Sequence, residues 1–334
     1  MRRALVTGAT GLVGSYLIER LLADGWETRA LVRSASAGAE LRARGVEVVE
    51  GNVRDAPSLA RAAAGRDVVF HAAAAVSARG GWEEYRAINI EGTRNVIAAV
   101  RGSGARLLHV SSVAVYGPDN RYRRGGPTGE DALLPPLPER AYYARSKRES
   151  EALVLEAHAR GEIWATTIRP DVIYGRGDRQ FTPRIARVVK YGFGPVPGGG
   201  HTTLPIVHAA NVVDAAVRAV AIDAAGGRAY NTANDYDVTL ASFFRLAGEG
   251  LGREVRLVPV PVWLLRLVLQ VAMRLRSVGG SRGQPVSATA SLDFATRDNP
   301  FTSRRARAEL GWNPPVRPET GIPESFRWWR ERSR

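Results

Sequence analysis

The 334-residue sequence has no cysteine and almost no lysine. Without thiols there are no disulfides, no cysteine-based zinc or iron–sulfur ligation and no thiol nucleophile. Their absence suits a reducing compartment, and the expected location is cytoplasmic. Histidine is scarce: the five residues, at 71, 109, 158, 201 and 208, show no H-E-x-x-H or clustered ligand spacing, so no metal site is expected. No Gly-x-Ser-x-Gly elbow occurs, which leaves a serine-hydrolase triad unsupported. Met1-Arg-Arg before an apolar stretch looks like the opening of a signal peptide, but three glycines interrupt it and no cleavage site follows. No export is expected.

Charge is abundant but one-sided. Forty-seven basic residues face thirty-three acids for a net +14, and only Lys147 and Lys190 among the basic residues are lysines. The densest arginine groups, at 121–124, 304–307 and 327–334, are short and separated. Without a helix-turn-helix or zinc-finger pattern beside them, no nucleic-acid partner is expected. With 45% hydrophobic and 24% charged residues the composition is globular, and the length allows one large domain or two ordinary ones.

Apolar stretches predict strands over 4–6, 28–32, 46–49, 68–70, 107–110 and 166–168, and helices over 12–23, about 56–64, 85–101 and 142–159. Alternating strands and helices imply right-handed crossovers and a parallel sheet covered on both faces. The expected fold class is therefore α/β: a doubly wound parallel sheet with a smaller C-terminal α/β substrate domain. Residues 117–141 lack periodicity and are long for a connection, which is often a functional sign.

Thr7-Gly8-x-x-Gly11-x-x-Gly14 follows the first strand and opens the first helix. Glycine serves where the chain turns sharply, where backbone approaches a pyrophosphate and where helix packs on strand; the helix N-terminus then offers free N–H groups to phosphate. Strand, turn, helix and next strand fall within about thirty residues, as a dinucleotide site requires. Where an NAD site wants a carboxylate at the end of the second strand, this chain has Arg33-Ser34. A guanidinium suits a 2′-phosphate, so NADP is expected, with NAD as the alternative. On this reading the nucleotide domain is 1–175, with 206–232 returning to it, and 176–205 and 233–334 bind substrate.

Tyr143-Ala-Arg-Ser-Lys147 lies on the long helix, and residues four apart share one helix face. A phenol of pKa about 10 is a poor base at neutral pH; lowering it to about 7 needs roughly 4 kcal/mol, which a nearby ammonium helps supply. In a chain that uses arginine nearly everywhere, a lysine here suggests a need for its compact charge. Ser111-Ser112 sits at the C-terminal end of a predicted strand, the sheet edge where α/β proteins bind ligands, and a serine there can stabilise alkoxide charge.

Glycine turn, Ser112, Tyr143 and Lys147 together resemble the extended short-chain dehydrogenase/reductase superfamily, the NAD-dependent epimerase/dehydratase group. The resemblance covers most of the chain: His71-Ala-Ala-Ala74, Asn89-Ile-Glu-Gly-Thr-Arg-Asn95, Arg169-Pro-Asp-Val-Ile-Tyr-Gly175, Val207–Asp214 and Ala308–Trp312 all match family segments. It implies a catalytic set of Ser112, Tyr143, Lys147 and the supporting Asn89. Tyr143 would be the acid/base, Lys147 its pKa tuner and ribose anchor, and Ser112 the donor to the substrate oxygen. It also implies cofactor contacts from Gly8, Thr10, Gly11, Leu12, Val13, Gly14, Arg33, Asn52, Val53, Ala72, Ala73, Tyr143, Lys147, Pro170 and Val172. Asn52-Val53 departs from the Asp often found at the adenine pocket, although an Asn carbonyl can still accept from the adenine amino group. A homodimer through the helices around 85–101 and 142–159 is implied by the family as well.

Val113-Ala114 stands where sugar-nucleotide dehydratases carry an Asp-Glu pair, so dehydration is not expected; Leu204-Pro205 likewise departs from the Arg-Asp of nucleotide-sugar enzymes. The apolar segment 262–276 carries Arg266, Gln270 and Arg274 at spacing four and, as a helix, is too short to span a bilayer. It reads as a packed helix, a lid over an apolar substrate, or an interfacial helix in peripheral membrane contact. This arrangement is similar to the 3β-hydroxysteroid dehydrogenase-like branch. The expected activity is hydride transfer between a nicotinamide and an alcohol/ketone on a hydrophobic, steroid- or isoprenoid-like small molecule. The rivals are an NAD-dependent nucleotide-sugar epimerase and a non-catalytic NADP-binding regulator.

Overall fold

The computed structural model describes residues 1–77, 80–117, 127–233, 236–264, 267 and 293–333. Most of the 262–276 segment and the arginines at 121–124 lie outside the described residues.

Seven parallel strands form the main sheet: β1 (Arg3–Thr7), β2 (Glu27–Val32), β3 (Glu47–Glu50), β4 (Val68–His71), β5 (Arg106–Val110), β6 (Ala165–Pro170) and β10 (Ala229–Thr232). Their spatial order is β3-β2-β1-β4-β5-β6-β10. The chain therefore winds outward from β1 in one direction, then crosses to β4 and winds in the other. This is the doubly wound α/β order, whose reversal lies between β1 and β4. Among the described residues two smaller parallel pairs complete the strands, β8 (Phe193–Pro197) with β11 (Arg256–Val260) and β7 (Val172–Tyr174) with β9 (Ile206–His208).

Successive side chains along these strands enter opposite cores, so both faces of the sheet must be apolar. Ala4, Val6, Val68, Phe70 and Leu108 pack with α1 (Leu12–Ala23) and with the helix Ala209–Ala221. Leu5, Val69 and Leu107 face the other way. There they meet the helices Ala56–Ala63, Gly92–Ser103 and Tyr142–Ala159. A third core joins the helices Phe181–Val189, Leu240–Leu251 and Pro318–Arg332 through Phe243, Phe244, Ile322 and Phe326.

The helix expected over 85–101 is interrupted. A short helix, Gly81–Tyr85, runs into a π-helical turn, Arg86–Glu91, before the α-helix resumes at Gly92. Such turns insert a residue into the ladder and recur at functional sites. Here the turn carries Asn89. No described helix is long and apolar enough to cross a membrane.

Candidate active site

At the sheet's reversal point the chain leaves β1 through Gly8, whose φ is +71°. A Cβ on Gly8 would lie 2.7 Å from the Ala73 nitrogen, on the segment leaving β4. A Cβ on Gly14 would lie 2.1 Å from the Gly8 carbonyl oxygen. Only glycine permits both approaches. Gly11 donates its N–H to the Gly8 carbonyl at 2.9 Å and caps α1 with no side-chain bond, leaving the first-turn amides without a side-chain cap. Thr10 and Gly11 are exposed, Leu12 is half-buried and Val13 is buried. An open helix N-terminus beside a cradle that a Cβ would fill fits the pyrophosphate of a dinucleotide.

The remaining expected cofactor residues lie along the C-terminal edge of the same sheet. Arg33 is exposed one residue beyond β2 and makes no ion pair among the described residues. Asn52 is exposed beyond β3, and its Oδ1 accepts from the Arg54 N–H at 2.7 Å. Val53 is buried, packed so closely on Gly92 that a Cβ there would lie 2.8 Å from its Cγ2. Ala72 and Ala73 follow β4, with their N–H groups donating to the carbonyl and the hydroxyl of Thr7. Pro170 ends β6 and Val172 opens β7.

The long helix 142–159 is stitched to the end of β5 from two of its side chains. Lys147 Nζ donates to the Val110 carbonyl at 2.6 Å, and Arg148 Nε donates to the Val115 carbonyl at 2.9 Å. Those carbonyls flank Ser112, so the helix bearing Tyr143 is held at the strand end bearing the hydroxyl. Ser112 Oγ accepts from the Ala114 N–H at 3.1 Å, which leaves its own hydrogen to donate elsewhere. Tyr143 is half-buried, its ring 6.3 Å from that of Tyr85. Lys147 is buried, and burial pulls its ammonium down to about 8, against an opposing pull from Glu151. Glu151 itself is committed to Arg169, whose Nε lies 3.0 Å from Oε2.

Asn89 is used completely. Its Oδ1 accepts from the Ala75 N–H at 2.7 Å, and its Nδ2 donates to the Ala75 carbonyl at 3.0 Å and to Ser146 Oγ at 2.9 Å. Ser146 in turn donates to the Tyr143 carbonyl. Asn89 thus ties the segment after β4 to the first turn of the long helix, with no polar hydrogen left for a reacting atom.

Beneath this edge lies a polar row that sequence reasoning did not find. Thr7, His71, His109 and Thr167 are register partners across β1, β4, β5 and β6, all on the face covered by helix 142–159. Thr93 donates its hydroxyl to the Asn89 carbonyl, so His71 Nε2–H donates to Thr93 and Nδ1 accepts from Thr7 at 2.8 Å. The His71 and His109 rings stand 5.3 Å apart. Burial first, and Lys147 second, push His71 down to about 3 and His109 well below its usual value, so both stay neutral. One sequence signal existed: a histidine closing the apolar run of β4, and another within β5.

The comparisons with known proteins agree with this geometry. The profile of the NAD dependent epimerase/dehydratase family matches residues 4–233. The chain is 31% identical over 324 residues to 4-hydroxy-2-methyl-3-oxo-4-farnesyl-3,4-dihydroquinoline-1-oxide ketoreductase of Stigmatella aurantiaca, covering 96% of this chain and 94% of that one. It is 27% identical over 345 residues to a 3-beta-hydroxysteroid dehydrogenase of Mycolicibacterium neoaurum, covering 98% and 92%. UDP-glucuronic acid 4-epimerase from Bacillus cereus, solved in complex with NAD, shares the fold with a TM-score of 0.73 at 17% identity, over 99% of this chain and 100% of that one. The glycine cradle, the Tyr143–Lys147 helix face and the profile match together place the chain in the NAD-dependent epimerase/dehydratase family, among the extended short-chain dehydrogenases/reductases.

Proposed function

We propose that the protein is an NADP(H)-preferring oxidoreductase that interconverts an alcohol and a ketone on a hydrophobic small molecule of steroid- or isoprenoid-like character. The observation that carries the reading is the buried Lys147 ammonium, anchored on the strand end that holds Ser112 and one helical turn from Tyr143. A charge kept out of water at that distance favours the ionised phenol, so Tyr143 can exchange a proton near neutral pH. Ser112, with its hydroxyl hydrogen free, donates to the substrate oxygen and stabilises charge there as it develops. The nicotinamide, when bound, supplies or takes up the hydride. Asn89 positions the edge of the site and does not react. Exposed Arg33, in the place of an acidic ribose partner, supports NADP over NAD. The apolar substrate class is supported by the relatives named for a farnesylated quinoline oxide and a steroid; Val113-Ala114, at the positions where dehydration would need acids, speaks against a dehydratase.

The test is NADPH consumption by the purified chain against apolar ketones, a 3-keto steroid and a prenylated ketone among them, with Tyr143→Phe alongside. Turnover is expected in the wild type. Loss by roughly three orders of magnitude is expected in the variant, with NADPH binding retained. Unchanged turnover in Tyr143→Phe would overturn the assignment. A tightly retained NAD with no net consumption would favour an epimerase instead.

A further inference from the structure

Ten large hydrophobic side chains are exposed among the described residues, and six of them lie on or next to one strand pair: Tyr191, Phe193, Val258, Trp263, Leu264 and Leu267. The β8–β11 pair explains the clustering. Its inner side, through Gly194, Val196 and Leu257, packs on the third core, and Gly194 lies so close to Phe244 that a Cβ would come within 2.7 Å. Alternation then turns Phe193, Arg256 and Val258 outward, with Phe193 and Arg256 register partners. The Tyr191 and Phe193 rings stack at 6.3 Å, and Lys190 Nζ lies 4.9 Å from the Tyr191 ring centre. A groove of about 500 Å³ opens at this pair, lined by Gly192, Phe193 and residues 256–259.

The charge around this patch is unusual for the molecule. Residues 182–197 and 252–267 hold six cations and a single acid, Glu254. Over the whole chain the ratio is 47 cations to 33 acids, so this region is far more one-sided than the molecule. Arg184, Arg187, Lys190, Arg253 and Arg256 are all exposed, and none pairs with a carboxylate among the described residues. Uncompensated cations beside exposed aromatic and aliphatic side chains complement a surface that is both anionic and apolar. Trp and Tyr rings favour the headgroup level of a bilayer, where an apolar body and a polar tip are both satisfied. A protein strand added to the edge of the pair is disfavoured, because Pro195, Pro197 and Pro259 remove N–H donors from both strands.

We propose that the outer face of the β8–β11 pair, with Trp263 and Leu264 beside it, docks on an anionic lipid bilayer surface, so that the enzyme binds membranes peripherally. The inference does not depend on which substrate the active site takes. It widens the sequence-based expectation for 262–276 to a face built by two strands and the turn after β8's partner.

The test is flotation of the full chain with vesicles of phosphatidylcholine alone or mixed with phosphatidylglycerol, at low and raised salt. Binding is expected to the mixed vesicles, at least about tenfold weaker to phosphatidylcholine alone, and lost at raised salt. Phe193→Ser/Trp263→Ser and, separately, Lys190→Glu/Arg256→Glu should each reduce binding by about tenfold or more, with circular dichroism and NADPH binding unchanged. If the first pair does not fold, the charge-reversal pair carries the test. Equal flotation with both vesicle types, no flotation at all, or flotation untouched by either pair of substitutions would overturn the proposal. Concentration-dependent self-association abolished by Phe193→Ser, without vesicle binding, would assign the face to a second copy of the chain and overturn it equally.

Discussion

Lys147 directs its ammonium at the main-chain carbonyl of Val110, 2.6 Å away, and not at a carboxylate. The nearest acid on its own helix, Glu151, is held by Arg169. The lysine charge is therefore only partly offset inside the protein, where a phenol one turn away can use it. That arrangement is costly to the ammonium, and the cost has consequences that can be measured.

The first concerns pH. The folded protein holds Lys147 at about 8, against 10.5 for the free group. Between those values the unfolded chain binds the extra proton, so stability is expected to rise with pH across the window. Activity should fall over the same window, as the charge that supports Tyr143 is lost. Urea unfolding and kcat/KM, measured together across this range, should move in opposite directions. Lys147→Met should remove both trends, and a rate that stays level through the window in the wild type would contradict the role given to the ammonium.

Cofactor choice rests on one exposed side chain. Arg33→Asp should weaken NADPH binding by about tenfold or more and leave or improve NADH binding, since a carboxylate repels a 2′-phosphate and suits a ribose hydroxyl. The melting temperature should change little, because Arg33 is exposed and makes no ion pair among the described residues. A fluorescence titration with each nucleotide decides it; an unchanged preference would remove Arg33 from the site.

The glycine cradle should not tolerate even one added carbon. In Gly14→Ala the new methyl would meet the Gly8 carbonyl oxygen at 2.1 Å, and its nearest neighbours are all backbone atoms of Gly8 and Ala9, with no flexible side chain among them to yield. We expect a loss of roughly 1–3 kcal/mol in stability, together with loss of nucleotide binding. Gly25→Ala is the control. That glycine has a positive φ but open space around it, so its cost should come from backbone strain alone.

Acid should attack the fold through its neutral histidines. His71 and His208 are held at about 3 and about 4 by burial, against 6.5 for the free group. Their contribution is complete above 6.5 and is lost as pH falls toward the folded values, because only the unfolded chain takes up the protons. Each should add roughly 1 kcal/mol per pH unit to the slope of unfolding free energy below 6.5. In His71→Gln the slope should be shallower by one such increment, read from urea midpoints across the acid range.

Much of the architecture could be read locally. A glycine turn between a strand and a helix, a 2-residue alternation and a Tyr-x-x-x-Lys spacing each depend on residues within a turn or two of one another. Periodicity carries that kind of relation reliably. The helix expected over 142–159 is observed with those bounds, and the glycine turn sits between β1 and α1 as its spacing required. The π-helical turn at 86–91 could not be read this way. It carries Asn89, whose side chain bonds to Ala75 and Ser146, partners far away in the sequence that no local pattern names.

By itself, then, the sequence determined the parallel α/β class, the phosphate-binding turn and the placing of Tyr143 and Lys147 on one helix face, because each follows from short-range geometry. Tertiary structure alone decided that Lys147 rests on the Val110 carbonyl, that Asn89 is consumed in positioning, and that Thr7, His71, His109 and Thr167 fall in one row. Strand register and burial, which decide these pairings, join residues dozens of positions apart. No local pattern encodes the desolvation that keeps the histidines neutral and the lysine charge exposed to its neighbours rather than to water.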